Sequence, residues 1–215
     1  MIEGSERPFG IVLAGGQARR MGGSEKPLLT LPGVGPLIDS ILARIAPQCN
    51  GVAISTGSQD PRWKVYPHPR IADSGATSAG PLAGVLAAFD WLEANAPGVR
   101  WLLTVPGDTP FLPGDLVSRL AAALREPDAK IACAASAGRV HPVAALWSIE
   151  VREELRLCLA AGQHRVRAFQ SRFAVETAVW NSRPVDPFFN INTPEDLRAA
   201  EKLIQDLLLV TPFGS

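Results

Sequence analysis

Residues 10–26 read GIVLAGGQARRMGGSEK, an apolar run that ends in two glycine pairs, with Arg19, Arg20 and Lys26 among and just after them. Gly15, Gly16, Gly22 and Gly23 carry no Cβ, so backbone N–H groups there approach anionic oxygens closely and positive φ is accessible. The three cations would neutralise a bound phosphate. A surface loop with solvated basic side chains has the same composition. The familiar phosphate signatures do not fit: G-x-x-x-x-G-K-[ST] fails because Lys26 follows Glu25, and G-x-G-x-x-G fails on spacing. The segments around this loop must decide.

Outward from the loop, short apolar runs alternate with segments of helical period. Phe9–Ala14, Gly51–Thr56, Trp101–Val105 and Lys130–Ala135 read as strands; Leu37–Ile45, Pro81–Ala94 and Pro113–Arg125 read as helices. This β-α-β-α order predicts an α/β fold, a mainly parallel central sheet with helices on both faces. Beyond Arg139 the order is less regular. HPVAALW (141–147) and Phe173–Trp180 read as strands, Val151–Ala161 and Arg165–Arg172 as helices, and Thr193-Pro194 starts a final helix through Leu208, with Thr as N-cap and Pro at the first helical position.

The chain has 215 residues, 47% hydrophobic and 20% charged, enough for one domain with a substantial core. Twenty-one basic residues balance 21 acidic ones, so no global field draws it to nucleic acid or an anionic membrane, and a phosphate-bearing partner is expected to be small. Cys49, Cys133 and Cys158 are odd in number and form no C-x-x-C pair. That pattern suits neither a disulfide framework nor a zinc site, and with no signal-peptide pattern or long apolar span the expectation is a cytoplasmic protein.

Ligands of such a sheet collect at the carboxyl ends of its strands. The glycine loop lies there, directly after the first strand. In VRWLLTVPGDTPFL (99–112) another apolar strand delivers Asp108 to the same edge, where a magnesium ion bridging nucleotide phosphates needs an oxygen ligand; Gly-Asp-Thr-Pro is also ordinary turn chemistry. Asp73 ends a further short apolar stretch and offers an acceptor for a ribose hydroxyl or a base edge, or serves a turn. Gly80, Pro81 and Gly84 open a helix N-terminus to a ligand, or permit tight helix packing.

Taken together, LAGGQARRMGGSEK (13–26), DSG (73–75), GPLAG (80–84), PGDTPFLP (106–113), HP (141–142) and NINTPEDL (190–197) resemble the molybdenum cofactor guanylyltransferase (MobA) family, over about Gly10 to Leu203. The resemblance implies a three-layer Rossmann-like nucleotidyltransferase fold and GMP transfer from GTP to the terminal phosphate of molybdenum-molybdopterin, with release of pyrophosphate. It implies Mg2+ as cofactor, and molybdenum cofactor synthesis proteins and acceptor molybdoenzymes as protein partners. Leu13, Ala14 and Gly15 would contact the nucleotide, Lys26 its phosphates, Asp73 the guanosine part, and Asp108 both GTP and the metal; Arg19 or Lys26 would stabilise charge on the triphosphate. Glu25 departs from the family's usual Asp, and Ser55 stands where some members have Asn at the base.

Such a reaction needs a second pocket for an anionic pterin. Asn190 and Asn192, two apart and so on one side of an extended segment, join His141, Arg165 and Arg167 as its candidates. NINTPEDL equally suits a helix cap, His141 a satisfied strand histidine, and RVRAF a solvated helix face. The expected organisation is one nucleotidyltransferase domain over 1–215, with residues 1–135 as a nucleotide-binding half and 136–210 as a pterin half. Two alternatives fit the same residues. One is a cytidylyltransferase or sugar-phosphate nucleotidyltransferase, and the other a non-catalytic nucleotide-binding module.

Overall fold

Alternate residues of the first strand belong to opposite cores. Phe9 and Ile11 pack into one buried cluster and Val12 and Ala14 into another, the period-two pattern of a strand covered on both faces. The computed structural model describes residues 7–15, 25–57, 60–72 and 80–210, with side chains to residue 205. The strands are β1 (Phe9–Leu13), β2 (Thr30–Leu31), β3 (Gly35–Pro36), β4 (Gly51–Ser55), β5 (Arg70–Ile71), β6 (Trp101–Pro106), β7 (Ile131–Ser136), β8 (Arg139–Ser148) and β9 (Val175–Trp180). The helices are α1 (Leu37–Ile45), α2 (Pro81–Asn95), α3 (Leu116–Ala123), α4 (Arg152–Ala160), α5 (Val166–Gln170) and α6 (Pro194–Val210).

Seven strands form one sheet in the order β5-β4-β1-β6-β8-β7-β9, and β2 and β3 form a separate antiparallel pair. Ile38, Ile41 and Ile45 of α1 and Leu116 and Leu120 of α3 cover one face of the sheet; Leu82, Val85 and Phe89 of α2, Leu155 of α4 and Phe169 of α5 cover the other. The result is the expected three-layer, mainly parallel α/β architecture. Asp90 of α2 accepts from both Arg152 and Arg156 of α4, which ties two helices of the second layer together.

One strand runs against the others. β8 is antiparallel to both β6 and β7, which the sequence reading did not specify. The cause is a two-residue connection: Ala137 (φ 48°) and Gly138 (φ 73°) both take positive φ, the backbone of a tight hairpin turn. β8 thereby folds back beside β7 and fills the gap next to β6. Its pairing with β7 then shifts, Cys133 facing Ala145 while Ala134 faces His141. The irregularity spans Pro142, Val143 and Ala144, and begins where a proline cannot donate to a ladder.

Thr104, fully buried in β6, stitches this reversed strand in place. Its hydroxyl donates to Val143 O (2.5 Å) and accepts from Trp147 Nε1 (2.8 Å), and Trp147 is fully buried as well. Thr104→Val is nearly isosteric but leaves the indole N–H and a carbonyl without this partner. It is expected to lower unfolding stability by about 1–3 kcal/mol, read from urea denaturation at unchanged slope, with Thr104→Ser close to wild type. A Val variant as stable as wild type would contradict this role.

Candidate functional site

The carboxyl ends of β1 and β6 lie side by side, Leu13 opposite Pro106, and Gly107 N continues the contact by donating to Leu13 O (3.0 Å). A Cβ on Gly107 would stand 2.9 Å from Pro27 Cγ and 3.1 Å from both Ala14 Cα and Leu13 O. This close approach brings the short helical turn at Lys26–Leu28 against the end of β6. Lys26 Nζ consequently lies 3.6 Å from Asp108 Oδ2, with the two side chains 20% and 19% exposed. A cation and a carboxylate from distant segments thus meet at the strand ends.

The segment before α6 completes this pair. Asn190 Nδ2 donates to Asp108 Oδ1 (2.8 Å) and to Thr109 Oγ1 (3.1 Å), Ile191 N donates to Asp108 O (2.9 Å), and Lys26 Nζ donates to Asn192 Oδ1 (2.7 Å). Asn190 fixes the carboxylate and Asn192 fixes the ammonium. The segment is itself held by a reciprocal cap at α6: Asp196 N donates to Thr193 Oγ1, while Asn192 N and Thr193 N both donate to Asp196 Oδ2. These donors, the Asn192 amide foremost, hold the Asp196 carboxyl below its ordinary range.

A cleft of about 590 Å³ opens over these groups. One wall carries Leu13, Ala14, Gly15, Ser55 and the start of α2, where Gly80 adopts φ 70° before Pro81. That end of a 15-residue helix opens its first turn on the cleft, a position that favours anions. The other wall carries Arg139, His141, Arg167 and Phe188 from the β8 bulge and the chain around it. His141 stacks on Phe188 (ring centroids 4.7 Å apart) and its Nε2 lies 2.7 Å from Ser136 Oγ. Burial first, then Arg139 and Arg167 nearby, hold the imidazole below its ordinary pKa of 6.5 against the opposing pull of Asp186.

Of the residues expected from sequence, Leu13, Ala14, Gly15, Lys26, Ser55, Asp108, His141 and Asn190 line this one cleft. Asn192 reaches it through Lys26. Arg19 and Asp73 lie outside the described residues, as do Arg20, Gly16, Gly22 and Gly23. Arg165 is exposed just before α5 and is not among the lining residues, whereas Arg167, two residues further on, lines the cleft and donates to Val140 O (3.2 Å). The two asparagines, expected at a pterin, make side-chain contacts with Asp108, Thr109 and Lys26. Sequence reading missed Ser136, Arg139, Asp186 and Phe188. Ser136 sits in an unremarkable ASAGR stretch, and Asp186 precedes a proline in the manner of a turn residue.

Among the described residues no group of three or more His, Cys, Asp or Glu side chains is arranged to hold a metal ion. A lone cleft carboxylate such as Asp108 suits a hard cation bound mainly through a ligand's phosphates and water. Asn190→Ala removes the donor to Asp108 Oδ1 without adding charge. It is expected to slow the nucleotidyl transfer that the sequence resemblance implies, read as pyrophosphate release, about 10- to 100-fold, the scale on which loss of a ligand-orienting contact acts, with the circular dichroism unchanged. Wild-type turnover in this variant would detach Asn190 from the chemistry.

Known proteins resemble this chain over most of its length. The chain is 46% identical over 194 residues to a molybdenum cofactor guanylyltransferase of Rhodopseudomonas palustris (strain BisB5), covering 90% of this chain and 92% of that protein. It is 47% identical over 202 residues to one from Mesorhizobium japonicum, covering 92% and 96%. The crystal structure of molybdopterin-guanine dinucleotide biosynthesis protein A from Archaeoglobus fulgidus superposes with a TM-score of 0.69 at 24% identity, over 92% of this chain and 99% of that one, a likeness of fold. The family model of the MobA-like NTP transferase domain matches residues 10–177, which carry both the β1 and the β6 strand ends that frame the cleft, and the chain therefore belongs to that family.

Proposed function

We propose that this protein is a molybdenum cofactor guanylyltransferase, which transfers GMP from GTP to the terminal phosphate of molybdenum-molybdopterin. The observation that carries the reading is the meeting of Lys26 and Asp108 at the strand ends, in a cleft whose opposite wall supplies separate cations. Relatives with 46% and 47% identity over nine tenths of the chain bear that name. The nucleotide lies over Leu13, Ala14 and Gly15 with its base toward Ser55, and the pterin lies toward Arg139, His141 and Arg167. Arg19 and Asp73 join the nucleotide side by the sequence argument alone. Residues 1–135 and 136–210 thus contribute mainly one wall each, except that Asn190 and Asn192 serve the nucleotide wall.

In the reaction a terminal phosphate oxygen of the acceptor attacks the α-phosphorus of GTP. The new P–O bond forms as the bond from the α-phosphorus to the α,β-bridging oxygen breaks, and pyrophosphate leaves with that electron pair. A phosphate monoester with a second pKa of about 6 is already largely dianionic near neutrality. No side chain need take a proton, and His141, held mostly unprotonated, is not required as a base. Lys26 places a fixed positive charge at the phosphates, and Asn192 prevents it from swinging away. Asp108 would hold a magnesium ion there, which would supply charge neutralisation at the phosphates.

Incubation with GTP, magnesium and molybdenum-loaded molybdopterin should yield the guanine dinucleotide by mass analysis, with one pyrophosphate per product. GTP should outcompete CTP, ATP and UTP in the same assay. Equal or faster product formation from CTP would overturn the guanylyl assignment and return the protein to the cytidylyl class.

A further inference from the structure

His141, Ser136 and Asp186 form a directional chain that determines what the cleft face of the imidazole can bind. Ser136 is fully buried and has a single hydroxyl proton. That oxygen lies 2.7 Å from Asp186 Oδ1 and 2.7 Å from His141 Nε2. Asp186 Oδ1 also accepts from Phe188 N (2.9 Å), and an ionised carboxylate only accepts, so the serine proton goes to Asp186. Ser136 Oγ must then accept, and His141 must donate through Nε2–H. That leaves Nδ1 as a lone pair on a ring that lines the cleft and stacks on Phe188.

Among the described residues none makes a hydrogen bond to His141 Nδ1, whereas Arg139 and Arg167 stand on the same wall as donors only. The wall therefore offers two kinds of recognition: cations for anionic oxygens, and one neutral acceptor for an N–H or O–H group. We propose that His141 is a specificity-determining residue for the acceptor substrate, its Nδ1 accepting a hydrogen bond from a ring N–H or amino group of the heterocycle, while Arg139 and Arg167 take the anionic groups. Ser136 and Asp186 are positioning residues that fix the tautomer. This inference rests on the guanylyltransferase reading, since it requires a second substrate with such a donor. The depressed basicity of the ring, caused chiefly by burial, keeps Nδ1 an acceptor near neutral pH.

Two substitutions separate the two nitrogens. His141→Gln keeps an N–H where Nε2 meets Ser136 but has no acceptor in the Nδ1 position, whereas His141→Asn keeps an acceptor oxygen near Nδ1. With molybdenum-loaded molybdopterin, the Gln variant should raise KM for that substrate about tenfold or more, as expected for one buried hydrogen bond lost with its partner left unpaired. Its Kd for GTP should be unchanged, and the Asn variant should recover part of the loss. In the wild type, ¹⁵N-labelled His141 should show a protonated Nε2 and an unprotonated Nδ1 at pH 7.5. A Gln variant with wild-type KM, an equal loss of GTP affinity, or an Nδ1–H tautomer would overturn the inference. A wild-type protein that forms no dinucleotide with molybdenum-loaded molybdopterin would overturn the guanylyltransferase reading and the inference together. Normal wild-type activity with an indifferent Gln variant would overturn the inference alone.

Discussion

The contact between Lys26 and Asp108 depends on how closely two strand ends approach. Leu13 and Pro106 are register partners, and Gly107 leaves no side chain between the end of β1 and the turn that carries Lys26. A residue with a Cβ there would have to displace Pro27 or the β1 backbone. Because the pair is partly exposed, its mutual attraction contributes little to stability. Its importance is positional: it places a cation and an anion, each held by a neutral amide, at the floor of the cleft. A triphosphate with its counter-ion requires both charges in that order, and a site that must not reorganise during phosphoryl transfer gains from having them fixed in advance.

The fixing is done by the end of the chain. Asn190 and Asn192 belong to a segment locked by the Thr193–Asp196 cap, and Ile191 between them is buried with Leu31, Leu37 and Ala200 in a small core shared by β2, α1 and α6. Alternation on an extended segment explains the arrangement. Ile191 points into that core, and the two asparagines on either side of it turn together toward the cleft. Removing the cap would therefore be felt at the lysine and the carboxylate, although none of the described α6 side chains lines the cleft. In the same way the β8 hairpin, set by Ala137 and Gly138, brings His141 onto the opposite wall through the bulge at Pro142.

Much of the fold was legible because long periodic segments have one buried pattern each. α1 runs from Leu37 to Ile45 as its apolar spacing predicts, and β1, β4, β6 and β7 fall within a residue of their apolar runs. The helix read over Pro113–Arg125 is shorter, Leu116–Ala123, with Pro113 and Gly114 left in the preceding turn. β2, β3 and β5 have two residues each and leave no period to read. The direction of β8 was not legible either, since it depends on an alanine in a backbone region that alanine seldom adopts. At the site, the spacing of Asn190 and Asn192 showed that they act together but not upon what: their partners Asp108 and Lys26 are 82 and 166 residues away. Ser136 and Asp186, 50 residues apart, were hidden for the same reason.

A double-mutant cycle on GTP binding tests directly whether the C-terminal segment acts through the nucleotide-side pair. Kd for GTP with magnesium is measured for the wild type, Lys26→Met, Asn192→Ala and the double variant, each checked for folding. If Asn192 acts by holding Lys26, its substitution costs affinity only while the lysine is present, and the cycle gives a coupling above about 0.5 kcal/mol. Additive effects, with Asn192→Ala costing as much in the Lys26→Met background as in the wild type, would contradict that role of Asn192.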